Sequence, residues 1–354
     1  MIMSTRRNGS LLIITLWLVS ILAVLVVAIA RYLSLDLRLT KYRLALNQAQ
    51  TLARSGIYLG MQRLALDAQT PEADGEAYDW LGDGWAYFPR PNGVSDEAGS
   101  PEDPGADSTV WVMPFPAGQV ESTSFTGTLT IRIADEERKL HVNTATTNHL
   151  TRLTGNEAIS QAIVDAHDDP DTAEDRPGGE PPYFAKNGPL VAPEELSDIP
   201  EMTPQIYETL RTHTSPYTTT GEPVNLNTAT PEVIGALGLT ATTIQMITQF
   251  REGPDGSDAH EQDGIFREPG LAILQTLQDH QGVDLRGTPD GNLLIGNEFG
   301  VSSEVFTVSS EVFTVVAEGR TGRPMVRVRM EAVVRRKACG AGVPQPCLIA
   351  WREG

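Results

Sequence analysis

Basic residues are scarce in this chain: 27 Lys and Arg stand against 46 Asp and Glu, a formal net charge of −19 over 354 residues. Such a surface repels phosphate backbones and anionic lipid headgroups, which puts nucleic acid and peripheral membrane binding at a disadvantage. Cysteine is scarcer still. Cys339 and Cys347 are the only two, close together around GAGVPQP, so a single disulfide pinning the C-terminal tail is the most the chain can form within itself. Histidine is thin and scattered. Of His141, His149, His167, His213, His260 and His280 only His167 lies beside carboxylates, too loose a set for zinc. No nucleophile, base and orienter stand together, which argues against an enzyme. Finally, no Pro or Gly occurs from Leu11 to Ser55, so nothing in that stretch breaks a helix.

What fills the stretch is apolar. From Leu11 to Ala30 there is no charged residue, only Thr15 and Ser20 interrupt the run, and a helix needs roughly 20 such residues to cross a bilayer. A cleaved secretory signal has an apolar region of only about 7 to 15 residues and closes on an A-x-A-like site. Here Ala28-Ile29-Ala30 continues into Arg31 and further helical pattern, so a retained span is the better reading. Arg6 and Arg7 on the leading side predict a cytoplasmic N-terminus, an asymmetry blunted by Arg31, Arg38, Lys41 and Arg43 beyond the span. Past it, Leu35, Leu39, Tyr42, Leu46, Ala49 and Ala53 recur at alternating steps of four and three. That is a helical seam, and it asks for a partner surface. The pattern predicts one helix reaching to about Leu66.

Asp67 to Asp107 is rich in Pro, Gly, Asp and Glu and reads as surface loop, at least in its second half. Trp80, Trp85, Tyr87 and Phe88 are expected to dock its first half on a globular layer. STVWVMPF and SFTGTLTIRIADEE predict two strands, and strands return after a long interruption. There VSSEVFT occurs twice in tandem, at 301 to 307 and 308 to 314, and a seven-residue shift cannot keep the same side chains on one face of an unbroken strand. The second copy is expected to run into VVAEG and pair with RPMVRVRMEAVV through a turn around Gly319 to Gly322. Val326, Val328 and Met330 would then form the buried face.

Between the strand sets the texture is helical. KLHVNTATTNHLTRLTGNEAISQAIVDA is echoed by PVNLNTATPEVIGALGLTATTIQMITQFRE, each with a VNxNTA-like start, a helix, a tight turn and a second helix. The Asn and Thr side chains are expected to cap the helix that follows, with Pro231 at a tolerated first-turn position. LVAPEELSDIPEMTPQIYETL has a similar outline. All three resemble helix-hairpin-helix units, whose usual use is sequence-independent DNA binding through backbone amides at a Gly-hydrophobic-Gly turn. The turns here read Leu153-Thr154-Gly155, Pro200-Glu201-Met202 and Gly238-Leu239-Thr240, none with both glycines and one with a carboxylate where phosphate would sit. Packing is therefore the expected role. Ahead of the middle unit, Asp165, Asp168, Asp169, Asp171, Asp175 and Glu180 fall within sixteen positions. They suit either a solvated acidic loop or a Ca²⁺ site, which takes roughly 6 to 8 oxygen ligands.

The leader and the ordered motifs resemble a known family. A short basic leader ending in Gly9, then Ser10 and an apolar helix, is similar to the prepilin-type leader of type IV pilins and pseudopilins. The resemblance implies cleavage after Gly9 by a membrane peptidase, a methylated Ser10 as the mature N-terminus, and retention of the helix. Most members carry Glu five residues into the mature chain, where this sequence has Ile14. A carboxylate at that depth costs about 2.5 to 3.5 kcal/mol unless paired, so a subunit with no neighbour above it has no use for one. ADEERKLHVNTATTNHLTRL, VDAHDDPDTAEDRPGGEPPYF, NGPLVAPEELSDIPEMT and EPVNLNTATPEVIGAL then follow the order and spacing of protein K of type II secretion systems, over roughly Ser10 to Arg336. The match is poorest at 67 to 107.

That resemblance implies an α+β fold: a long N-terminal transmembrane helix on a pilin-like antiparallel sheet, split by an inserted all-helical domain. The expected divisions are a leader at 1–9, a helix at 10–66, the first half of the pilin-like domain at 67–142, the insertion at 143–290 and the second half at 291–354. It implies a non-catalytic minor pseudopilin at the filament tip, in the inner membrane with its bulk periplasmic. Partners would be other minor pseudopilins, the major pseudopilin, the prepilin peptidase and the inner-membrane platform. Ile14, Leu35, Leu39, Tyr42, Leu46, Ala49 and Ala53 would contact partner helices. The six carboxylates would hold structural calcium, with no organic cofactor. A membrane-anchored periplasmic DNA-binding protein and a generic anchored adaptor are the rival readings.

Overall fold

A computed structural model describes residues 9–68, 78–86, 111–115, 127–167, 186, 188–217, 223–256, 264–298, 301–302, 305–322, 324–336 and 346–353. Helix α1 (Gly9–Asp67) runs 59 residues without a break, about 88 Å at ~1.5 Å per residue. It lies in two environments. From Leu12 to Leu44 every large apolar side chain is bare, between 47% exposed at Leu39 and 72% at Tyr32. From Ala45 onward one stripe, Ala45, Ala49, Leu52, Ala53, Ile57 and Leu64, is buried.

What buries the stripe is a sheet that the chain begins, leaves and completes. Strands β1 (Trp111–Phe115) and β2 (Gly127–Asp135) form its first two members, as their alternation predicts. The chain then departs through β3 (Leu140–His141), α2 (Thr147–Thr154) and α3 (Glu157–His167). A short 3-10 helix at Pro193–Asp198 precedes α4 (Pro204–His213), β4 (Thr214–Ser215) and β5 (Val224–Asn225). Helices α5 (Pro231–Leu237), α6 (Ala241–Glu252), α7 (Leu271–Gln281) and α8 (Pro289–Leu294) follow. Three two-residue strands, β6 (Asn297–Glu298), β7 (Val301–Ser302) and β8 (Phe306–Thr307), lead back to β9 (Val312–Thr321), β10 (Val326–Arg335) and β11 (Cys347–Glu353).

The finished sheet has the order β1-β2-β9-β10-β11 with every neighbouring pair antiparallel. The excursion thus closes where it opened, Asp135 of β2 facing Phe313 of β9. Alternation decides the faces. Leu129, Ile131, Ile133, Phe313, Val315, Ala317, Val326, Val328, Met330, Ala332 and Val334 join the buried stripe of α1 in one core, sealed by Trp85, whose ring centroid is 5.0 Å from that of Phe313. Tyr87 and Phe88, expected beside Trp85, lie outside the described residues.

Small residues set how close the helix comes. A Cβ on Gly319 would sit 2.2 Å from the carbonyl oxygen of Ala49 and 2.9 Å from the amide nitrogen of Ala53, and one on Gly56 would sit 2.7 Å from the Cβ of Ala317. Here the structure narrows the turn expected around Gly319 to Gly322, keeping Gly322 in it and moving Gly319 into the strand. Gly319 is mid-strand, paired with Val328, and the turn lies beyond Thr321. Its glycine serves the helix, not a reversal. The VSSEVFT copies part as their spacing requires. The first supplies Val301-Ser302 to β7 and Phe306-Thr307 to β8, while the second enters β9 at Val312.

The helical layer has its own core, running from Leu140 to Val308 with Tyr78 added from the loop after α1. It is therefore wider than the 143–290 expected, because β8 pairs in parallel with β5 and carries Phe306 into it.

Candidate assembly surface and the joint behind it

The bare half of α1 is the only helix among the described residues long and apolar enough to cross a membrane. Gly9 and Ser10 begin it. Of the residues expected to meet partner helices, Ile14, Leu35, Leu39 and Tyr42 are exposed. Ala49 and Ala53 are fully buried on the chain's own sheet, with Leu46 packed against the same core. This corrects the reading of the seam as one continuous partner surface. An apolar stripe shows that something covers it, not whose residues do, and past Ala45 the cover is β9 and β10.

The repeated Asn residues do something their sequence position did not predict. Thr146 and Thr230 cap α2 and α5 as expected, accepting from the amides of His149 and Val233. Asn143 and Asn227 cap nothing. The Asn227 carboxamide donates to Phe266 O at 2.9 Å and accepts from Phe266 N at 2.9 Å, and Asn143 makes the same two-way clamp on Leu190 at 2.9 and 2.7 Å. Each Asn imitates a strand neighbour and ties a remote extended segment to the start of its helix pair. Asn227 is buried, so Asn227→Ala would orphan the N–H and C=O of Phe266 away from water. A loss of about 1–3 kcal/mol is expected, read as a lower denaturant midpoint.

The first and last helix pairs pack on each other, while Gly155 and Glu201 in two of the three turns stay exposed. Gly155 and Gly238 hold the left-handed conformation that ends α2 and α5. Arg152 of the first pair reaches the second, donating to Ala236 O at 3.1 Å, and its guanidinium lies 3.0 Å from where a Cβ on Gly238 would be. The middle turn holds Glu201 at φ 61°. This arrangement does not favour a phosphate-binding role.

A buried polar joint fastens the helical layer to the sheet. Asp135, at the end of β2, accepts from Thr228 Oγ1 at 2.6 Å, Ser310 Oγ at 2.7 Å, Asn225 Nδ2 at 3.3 Å and the Glu137 amide at 2.8 Å. Asn225 also donates to Ser310 Oγ and to Asp79 O. Arg336, just past β10, forks onto Asp79 at 2.6 and 2.7 Å and reaches Asp67, the last residue of α1, at 2.8 Å. Burial raises Asp135 from its ordinary 3.8 to about 6, with Asp79 adding to the rise and the Thr228 and Ser310 hydroxyls opposing it. Burial works against the Arg336 charge, but Asp79 and Asp67 outweigh it and hold its pKa above the ordinary value. A second tie comes from β11, which the sequence reading missed: Arg352 bonds Glu194 at 2.8 Å and stacks 5.5 Å over Tyr217.

Two expected sites fall mostly outside the described residues. Of the six acidic loop residues only Asp165 is described; it lies half-buried in the last turn of α3 and accepts from Gln161 Nε2 at 2.7 Å. Asp168, Asp169, Asp171, Asp175 and Glu180 lie outside. Asp67, Asp79 and Asp83 do cluster, their carboxylate oxygens within 4.8 Å of one another. Arg336 already neutralises two of them, so this cluster does not suit a cation. Cys347 is disulfide-bonded, and Cys339 lies outside the described residues.

A long half-bare helix on an antiparallel sheet interrupted by a helical layer defines a pilin-like α+β fold. No protein-family model and no curated protein matches the chain. Among solved structures, a chain of the GspK-GspI-GspJ complex from the type 2 secretion system of enterotoxigenic Escherichia coli aligns over 89% of this chain and 99% of its own, with a TM-score of 0.52 and 15% sequence identity. The two share a fold.

Proposed function

We propose that this protein is a minor pseudopilin of a type II secretion system, a non-catalytic subunit that helps initiate or cap the filament. The observation that carries the reading is α1, a single rod bare from Leu12 to Leu44 and sealed by its own sheet beyond Ala45. Such a subunit can sit in a bilayer through Leu11 to Ala30, the uncharged run within the bare part, then exchange lipid for neighbouring helices while its folded part stays unchanged. Helical association in lipid rests on packing and paired polar groups. Ile14 offers packing alone, which suits a position with no subunit above it. The helical layer adds bulk to one side of the pilin-like sheet, which suits the tip better than the shaft. The aligned chain belongs to the GspK-GspI-GspJ complex of a type 2 secretion system, and partners of that kind are inferred for this chain.

The inferred membrane topology is single-pass, with the N-terminus cytoplasmic and the bulk periplasmic. Cleavage after Gly9 by a prepilin peptidase and methylation of Ser10 belong to the same reading. The test is the intact mass and N-terminal sequence of the membrane-extracted protein made with and without that peptidase. A chain starting at Ser10 only when the peptidase is present is expected. Met1 persisting in both would remove the pseudopilin and leave the generic anchored adaptor. Duplex DNA binding at low salt, the other alternative, is not expected.

Structural calcium at Asp165, Asp168, Asp169, Asp171, Asp175 and Glu180 is part of the proposal. The donor set is all oxygen, which suits a hard cation, and the ion would screen repulsion among these carboxylates. Adding a chelator is expected to lower the thermal midpoint, with recovery on excess Ca²⁺ but not Mg²⁺. An unchanged midpoint would leave the segment a solvated acidic loop.

A further inference from the structure

The face of the sheet turned away from α1 is basic, in a chain of net charge −19. Arg132 on β2, Arg320 on β9, and Arg327 and Arg329 on β10 alternate with the residues buried under the helix and so stand on that outer face. Arg320 and Arg327 are register partners, directly opposite one another across the ladder. Like charges in that relation destabilise a sheet. Glu318 relieves part of the cost. It is only 8% exposed and accepts from Arg320 Nε and from an Arg327 amino group, so its charge lies beneath guanidinium-bearing side chains that are 52% and 60% exposed. Arg329 is 53% exposed and stands 3.8 Å from Glu331, while Arg132 has no ion pair among the described residues.

We propose that this face is a docking surface for a carboxylate-rich surface of another protein. Guanidinium groups pair carboxylates through two parallel N–H donors, and Glu318 fixes the orientation of two of them while leaving their other donors outward. A partner carboxylate between Arg320 and Arg327 would neutralise the like-charge pair that the isolated chain leaves open. Lipid headgroups are the wrong occupant on the membrane-span reading, on which this step rests. Gly319 lies against Ala49, 19 residues past Ala30 where the apolar run ends. That is about 28 Å along the helix at ~1.5 Å per residue, beyond the screening length of about 8 Å at physiological salt.

The test uses the full chain in neutral detergent micelles, titrated with a fluorescein-labelled decaglutamate peptide and read by anisotropy at low ionic strength. Saturable binding is expected, weakened at least about tenfold by raising the salt and by the triple variant R320Q/E318Q/R327Q. That variant removes Glu318 together with its partners and leaves no buried charge unpaired. The double variant R132Q/R329Q spares Glu318 altogether and should weaken binding several-fold in a chain of unchanged stability. Absence of saturable binding, or binding by both variants equal to that of the unaltered chain, overturns the proposal. So does displacement of the peptide by phosphatidylglycerol vesicles, which would assign the face to headgroups. Binding that emerges only after Asp96, Glu97, Glu102, Asp103 and Asp107 are changed to their amides would assign it to the chain's own acidic stretch, again overturning the intermolecular reading. Failure of the peptidase experiment would remove the lipid argument but not the peptide binding, so the two readings fail separately.

Discussion

Gly319→Val is expected to unseat α1 from the sheet. A side chain there meets the carbonyl oxygen of Ala49 at 2.2 Å and the amide of Ala53 at 2.9 Å. Both are helix backbone, which has no rotamer to give. Overpacking of a well-packed core costs typically about 1–3 kcal/mol where side chains can shift. At Gly319 the whole helix must lift, so a loss at or above the top of that range is expected. A fall in the denaturant midpoint together with faster proteolysis after Ala45 would register it. Gly60→Ala is the milder companion, because its new methyl meets only the side chain of Val315. If the two variants were equally stable, the seam would not be backbone-limited.

The second large effect is expected at Arg336. Arg336→Met removes the guanidinium that forks onto Asp79, whose side chain is 1% exposed, and leaves that carboxylate beside Asp67, at 12%. Breaking a buried pair by removing one partner typically costs about 3–5 kcal/mol. The joint should loosen as a unit, since Asp79 also accepts from the amide of Ser310. Adding Asp79→Asn to Arg336→Met should restore part of the loss, because the stranded charge goes with it. A double-mutant cycle on thermal midpoints measures the difference, and strictly additive losses would show that the two groups do not act together.

Much of this was legible in the sequence because it was periodic. Twenty uncharged positions and a Pro-free, Gly-free run gave α1; alternation gave β2, β9 and β10. The tandem VSSEVFT also announced its own divergence, since a shift of seven reverses the faces. What stayed hidden was whatever needed two distant parts of the chain. Asp79 and Arg336 are separated by 257 positions and carry no spacing signal. Asn143 and Asn227 were visible as a repeat, but an Asn before a helix suggests a cap, and nothing in the sequence marks Leu190 or Phe266 as its target. Strand β11 was missed because CLIAWRE follows a Pro-rich stretch and pairs on one side only among the described strands. Its bulge across Val333 and Val334 further breaks the alternation by which strands are found.

The unbroken course of α1 has a mechanical consequence. A rod without hinge residues up to Ser55 does not bend to absorb a pull on its bare end. Tension applied at Ser10 is delivered to the Ala49, Ala53 and Gly319 contact as shear along the strand direction, where many small contacts yield together instead of peeling one after another. The subunit is therefore stiffest along the axis on which it would be drawn out of a bilayer.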